Sequence, residues 1–235
     1  MIDSKGNCNY KKEFVDFLID SEALLFGDFT TKSGRLSPYF INTGKFRSGE
    51  QIKALGRFYA QTIMEQIERG NIDRNINFLF GPAYKGIPLV ITTSIALSEY
   101  GMDINYCFNR KEAKDHGEGG GIVGYEPRPG DKALIIEDVI TAGTAVREVI
   151  PVLRKLGVDI NGLIVSVDRM EKADGDVTAI QSLSQDEGIQ TYPVINIKDI
   201  LHELENYSLQ RKNSITGLNS GTYEKISAYM REYCI

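Results

Sequence analysis

At 235 residues the chain can form one large α/β domain with an appendage, but not two independent full-size domains. Its 42% hydrophobic and 25% charged residues are those of a folded globular protein and exclude a disordered or fibrous one. A net charge of -5 and a pI near 5.2 argue against broad nucleic-acid binding, which recruits excess Lys and Arg.

Cys8, Cys107 and Cys234 are scattered and odd in number, so neither a disulfide framework nor a zinc site is expected, and a reducing cytoplasm is the natural setting. The N-terminus has no apolar core for a signal peptide. The longest greasy stretch, IPLVITTSIAL, is too short and too hydroxylic to span a bilayer, so no membrane association is expected.

In chain order, Tyr10 to Phe26 places apolar residues at mixed helical spacing before Gly27, which predicts an N-terminal helix stopping there. Residues 27–46 then read as a loop. Ser48 and Gln51 form a capping-box pattern ahead of the stripe Ile52, Leu55, Tyr59, Ile63 and Ile67, which predicts a second helix.

Five short apolar runs follow: INFLF from Ile76, INYCF from Ile104, KALIIE from Lys132, GLIVSV from Gly162 and the weaker YPVINI from Tyr192. Helical segments lie between them, IPLVITTSIALSEY after the first and TAVREVIPVLRKLG after the third. The alternation implies a mainly parallel twisted sheet, and the continuous apolar runs suit strands covered by helices on both faces. Pro151 removes a backbone donor from the later helix and is expected to disturb it. The stretch from Arg110 to Gly130 is too polar and Gly-rich to pack, and reads as a long mobile loop.

In such a sheet, ligands bind beyond the carboxyl ends of the strands. The run ALIIEDVITAGTA, Ala133 to Ala145, ends there in the adjacent acids Glu137 and Asp138. Ala142, Gly143 and Ala145 let backbone N–H groups approach an anion, Thr141 and Thr144 add hydroxyls, and the next helix offers its positive end. The carboxylates cannot hold the same phosphate, but they can accept hydrogen bonds from sugar hydroxyls or help to place a divalent cation. A phosphorylated ribose would use both halves. Taken alone, the acid pair could equally be a solvated strand end, and Lys85 in GPAYKGIP an exposed lysine in an ordinary turn. GPAYKG lacks the Lys-Ser/Thr of a nucleotide P-loop, and the GxGxxG at Gly119 to Gly124 is followed by no helix pattern.

The acid-pair segment resembles the phosphoribosyl pyrophosphate signature of type I phosphoribosyltransferases. Four more segments narrow the resemblance to the orotate phosphoribosyltransferase family: KSGRLSPYFINTGKF (Lys32 to Phe46), GPAYKGIPL (Gly81 to Leu89), NRKEAKDHGEGG (Asn109 to Gly120) and SVDRME (Ser166 to Glu171). Together they span most of the chain in the family's order. The resemblance implies one type I phosphoribosyltransferase domain over residues 1–235. Its parts would be an N-terminal helix and small hood to about 48, a core from about 49 to 200, and C-terminal helices beyond.

The resemblance also implies roles. Phosphoribosyl pyrophosphate would be bound by Lys32, Tyr84, Lys85, Arg110, Lys111, Lys114 and His116, with Glu137, Asp138, Val139, Ile140, Thr141, Ala142, Gly143, Thr144 and Ala145 of the signature. Lys32, Phe40, Ile41, Thr141 and Arg169 would take orotate, whose carboxylate suits a guanidinium fork. Where the family commonly has a second aromatic this chain has Ile41, which weakens ring stacking there but spares backbone contacts. Lys114, Asp138 and Lys85 would be catalytic, with Lys114 the first choice in a glycine-bearing cationic loop that closes over substrate. Magnesium would be held mainly through the donor rather than by direct protein ligands, and a homodimer would share its active sites between subunits. A same-fold transferase for another base, or a sensor of phosphoribosyl pyrophosphate that has lost catalysis, are the alternative readings.

Overall fold

The computed structural model describes residues 9–31, 34–111, 121–140, 143–173, 175–219 and 221–235. These residues form two compact units. One contains the described residues up to Ser48 together with 167–178 and 195–235; the other contains 49–166 and 179–194.

In the first unit, α1 spans Asn9–Asp20 and stops six residues earlier than the expected Phe26. The Ser21 hydroxyl donates to the Phe17 carbonyl at 2.6 Å, Glu22 turns into the left-handed region at φ 57°, and the chain leaves the helix. Leu24, Leu25 and Phe26, which read as the helix's last turn, instead open β1 (Leu24–Thr30). This strand pairs antiparallel with β2 (Leu36–Ile41), from Leu24 opposite Ile41 to Thr30 opposite Leu36, with an irregularity between Phe26 and Phe29. The expected loop of residues 27–46 is therefore largely a hairpin. Cross-strand pairing of Leu and Phe with Tyr39, Phe40 and Ile41 outweighs their helical spacing.

In the second unit, α2 (Gly49–Glu68) starts directly after Ser48 and buries Leu55, Tyr59 and Ile63 of the expected stripe. Then come β3 (Phe78–Gly81), α3 (Gly86–Glu99), β4 (Asn105–Asn109), β5 (Ile122–Gly124), β6 (Lys132–Ile136), α4 (Thr144–Lys155), β7 (Asp159–Asp168), α5 (Ala179–Glu187) and β8 (Thr191–Asn196), the last two residues of β7 and of β8 being counted with the first unit. All five expected strands are present. The additional β5 lies within the expected long loop and runs antiparallel to β4, with Cys107 opposite Gly124 and Asn109 opposite Ile122. The helix α4 runs unbroken through Pro151, which sits on its exposed side while Val146, Val149, Ile150 and Leu153 are buried.

The strands lie in the order β5-β4-β3-β6-β7-β8. β3 is parallel to both β4 and β6, and β6 is parallel to β7. Phe78, Phe80, Ala133, Ile135, Leu163 and Val165 pack with the buried face of α4 and with Leu183 of α5. Alternate strand residues such as Leu79 and Leu134 point the other way and are also fully buried, as strands covered on both faces require.

Three helices complete the first unit: α6 (Ile197–Asn206), α7 (Leu209–Ser214) and α8 (Thr222–Tyr233). A capping box opens α6: Asn196 Oδ1 accepts from the Asp199 amide at 3.0 Å and Asp199 Oδ2 from the Asn196 amide at 2.9 Å. The α8 helix packs on β2, where the Tyr229 ring meets Tyr39 edge-on at 6.1 Å.

Candidate active site

The chain leaves β3 for α3 and β4 on one side, while β6 pairs on the other. The gap between the carboxyl ends of β3 and β6 is therefore where strand order reverses, the place where open α/β sheets bind ligands. Lys85 follows β3 and the acid pair follows β6. Lys85 Nζ donates to Asp138 Oδ2 at 2.8 Å; the lysine side chain is 67% exposed and the aspartate side chain 7%.

Backbone geometry fixes both groups. A Cβ on Gly81 would come within 2.3 Å of the Gly86 carbonyl oxygen, and one on Gly86 within 2.7 Å of the Gly81 carbonyl carbon, so only two glycines fit this crossing. Between them the Ala83–Tyr84 peptide is cis, the Ala83 amide donates to Asn109 Oδ1 at 2.8 Å, and Tyr84 projects outward.

The acids are held from below. The buried Tyr59 hydroxyl on α2 donates to the Glu137 carbonyl at 2.8 Å. The Asp138 carbonyl accepts from both the amide and the hydroxyl of Ser166, at 2.9 and 2.7 Å. Glu137 Oε1 accepts from the Asp138 amide at 2.8 Å. Burial pushes the Glu137 carboxyl up to about 7; that amide bond and the cations Lys85 and Lys111 act against the rise, and the neighbouring Asp138 carboxylate adds to it.

Beyond the acids, Val139 and Ile140 are half-buried, and Gly143, at φ 69°, caps α4. Helix geometry leaves the first-turn amides of Thr144 and Ala145 without intrahelical partners, as an anion cradle requires. Lys111 pairs with Glu148 on α4 at 3.1 Å. Arg110 donates its backbone amide to Gly121 at 2.8 Å, and its buried Nε has no partner among the described residues. Lys32, Lys114, His116, Thr141 and Ala142 lie outside the described residues.

Of the expected base-recognition residues, Phe40 and Ile41 end β2, with Phe40 41% exposed and its ring stacked on Phe29 at 5.4 Å. In the same unit, Arg169 follows β7 with its guanidinium 4.3 Å from the centre of the Tyr39 ring. Sequence reasoning missed Tyr59 and Ser166, whose hydroxyls hold the acid pair. Tyr59 sits within a helical stripe that reads as core, and Ser166 within an apolar strand. The one signal available was a polar group at each position.

The phosphoribosyl transferase domain family matches residues 45–194. An orotate phosphoribosyltransferase from Bifidobacterium adolescentis is 52% identical over 190 residues, covering 80% of this chain and 82% of the relative. One from Clostridium beijerinckii is 44% identical over 226 residues, 95% of this chain and 97% of the relative. The chain belongs to the orotate phosphoribosyltransferase family. Among solved structures, the orotate phosphoribosyltransferase of Francisella tularensis matches with a TM-score of 0.80 at 37% identity, covering 95% of this chain and all of that one. As a family member, the chain has the type I phosphoribosyltransferase fold that its parallel sheet and flanking helices display.

Proposed function

We propose that this protein transfers the 5-phosphoribosyl group from phosphoribosyl pyrophosphate to orotate, giving orotidine 5'-monophosphate and pyrophosphate, a step of pyrimidine biosynthesis. The observation that carries the chemistry is the Lys85–Asp138 pair at the point where strand order reverses, next to a helix N-terminus opened by Gly143. Relatives that share 42–52% identity over most of the chain carry the base assignment.

The bond between the anomeric carbon and pyrophosphate breaks with its electron pair leaving on oxygen. A ring nitrogen of orotate supplies the pair for the new carbon–nitrogen bond and loses its proton. Glu137 and Asp138 accept hydrogen bonds from the ribose hydroxyls, which fixes the sugar as positive charge develops on its ring. Lys85, with Arg110, Lys111, Lys114 and His116, takes the charge that grows on the leaving group. The amides at the start of α4 hold the 5-phosphate. Arg169 and the backbone of Phe40 and Ile41 take the acceptor, with Lys32 and Thr141.

No group of three acidic, His or Cys side chains among the described residues forms a metal cage. The two carboxylates present suit a magnesium ion that arrives on the donor's phosphates, which is how this ion is usually held. Magnesium, when bound, neutralises phosphate charge; Glu137 and Asp138 are the residues in this chain that would reach it.

A homodimer in the cytoplasm completes the reading. The groove between α2 and α3 supports the dimer: Ile95 stands 59% exposed there beside Ile52, Pro88 and Ile91, with Lys53 and Arg57 on one rim and Glu99 on the other. That distribution can pair with a second copy of itself. No described helix is long and apolar enough to cross a membrane.

The test is orotate consumption followed by ultraviolet absorbance with phosphoribosyl pyrophosphate and magnesium, with adenine, hypoxanthine and uracil as competing acceptors. Orotate consumption that needs the protein, phosphoribosyl pyrophosphate and magnesium together supports the reading. Donor binding without orotate turnover overturns the base assignment.

A further inference from the structure

The turn after β7 is held by the end of the chain. Asp168 Oδ1 accepts from the Met170 amide at 2.8 Å, and Met170 takes a left-handed φ of 55°, costly for a residue with a side chain. The Lys172 amide donates to the Tyr233 carbonyl at 2.8 Å and the Ile235 amide to the Met170 carbonyl at 3.1 Å, so residues 170–172 are zipped to residues 233–235. The Arg35 guanidinium donates to the Lys172 carbonyl at 2.9 Å and lies over the Tyr233 ring.

Inside this clamp, three donors converge on one oxygen. Glu171 Oε1 accepts from Arg169 Nε at 2.8 Å, from Arg169 Nη2, and from the Tyr229 hydroxyl of α8 at 2.7 Å. Arg169 Nη2 also reaches Ser37 Oγ at 3.2 Å, while the face of the guanidinium rests on Tyr39. The bonds to Glu171 and Ser37 use Nε and Nη2, and neither uses Nη1. The Arg169 side chain keeps 14% of its surface exposed. Burial and the bond to Glu171 push the Tyr229 phenol up to about 12, so it stays a donor at every working pH.

We infer that Glu171, locked by Tyr229, is a positioning residue: it holds one edge of the Arg169 guanidinium so that the remaining N–H groups face the carboxylate of the acceptor base. An arginine held by stacking on Tyr39 alone could rotate about its long side chain, and a charge-assisted bond from Nη1 to the acceptor carboxylate would lose its alignment. Glu171 also offsets the charge of a guanidinium that is otherwise largely buried, which keeps Arg169 folded inward before the acceptor arrives. The C-terminal helix α8 thereby becomes part of acceptor recognition.

This inference rests on the proposed orotate reaction, and the experiment separates the two. Steady-state kinetics are measured on the full chain for wild type, Tyr229→Phe, Glu171→Gln and Glu171→Ala, varying orotate and phosphoribosyl pyrophosphate in turn, with thermal melts of each variant. Loss of a charge-assisted bond of this kind is worth roughly tenfold in binding. The expected result is an orotate KM raised roughly tenfold or more in Glu171→Ala, less in Glu171→Gln because its amide oxygen still accepts, and a few-fold in Tyr229→Phe, with the KM for the donor unchanged. An orotate KM equal to wild type in folded Tyr229→Phe and Glu171→Gln overturns the inference while leaving the reaction intact. A rise shared equally by both substrates also overturns it, because that pattern reports general loosening. A wild type that does not consume orotate removes the reaction itself.

Discussion

Lys85 Nζ lies 2.8 Å from Asp138 Oδ2, joining the ends of two parallel strands that are neighbours in the sheet but separated by β4 and β5 in the chain. The lysine is 67% exposed, so the pair contributes little to stability, about 0–1 kcal/mol. The role proposed for it in turnover predicts a larger effect on activity. Lys85→Ala and Asp138→Asn should each lower kcat/KM roughly 100-fold or more; Asp138→Asn should move the urea midpoint hardly at all, and Lys85→Ala somewhat more, because it takes the lysine cation from a carboxylate that is 7% exposed. Equal losses of stability and activity would assign the pair to the fold instead.

Glu137 gives a pH signature. Its folded-state value is raised from 4.5 to about 7, so folding favours the neutral acid. The fold then carries no penalty from this group below about pH 4.5, loses stability as pH rises between the two values, and bears the full cost, on the order of 3 kcal/mol, above 7. Glu137→Gln should therefore melt higher than wild type at pH 8, with the difference closing by pH 5. Donor affinity should fall in wild type as pH drops through 7, because the neutral acid accepts ribose hydrogen bonds less well; titration calorimetry at pH 6 and 8 checks this.

The two hydroxyls beneath the acids differ in what their loss exposes. In Tyr59→Phe the Glu137 carbonyl loses the one donor it has among the described residues, at a cost of about 1–3 kcal/mol. Ser166→Ala leaves the Asp138 carbonyl its 2.9 Å bond from the Ser166 amide, and should cost less, about 1 kcal/mol. Urea unfolding of both variants ranks them.

Lys114 lies outside the described residues, and its assignment rests on the family's loop sequence. Lys114→Ala should lower turnover far more than it lowers the melting temperature. Unchanged turnover in a folded variant removes Lys114 from catalysis.

Much of this molecule is legible in its residues. The buried strands announce themselves because parallel strands covered on both faces need uninterrupted apolar runs such as FLF (78–80) and ALII (133–136). The proposed donor site is read from the acid pair and the small residues after it. The β1–β2 hairpin is hidden because Leu24, Leu25 and Phe26 continue the spacing of α1, and only pairing with residues fifteen or so positions away decides their state. Three residues, Ile122–Gly124, are too few to carry a strand pattern, yet the open edge of β4 pairs with them. Glu171 and Tyr229 are separated by 58 positions, and nothing local to either marks their meeting.

The crossing of Gly81 and Gly86 makes two positions carry one constraint. A side chain at either forces the same two backbone segments apart, so the first substitution does most of the damage and a second finds the gap already opened. Costs at these positions should fall well short of adding, which distinguishes a shared clash from two independent requirements for glycine. A lineage that lost one of these glycines would feel little pressure to keep the other, so the two should be retained or abandoned as a unit.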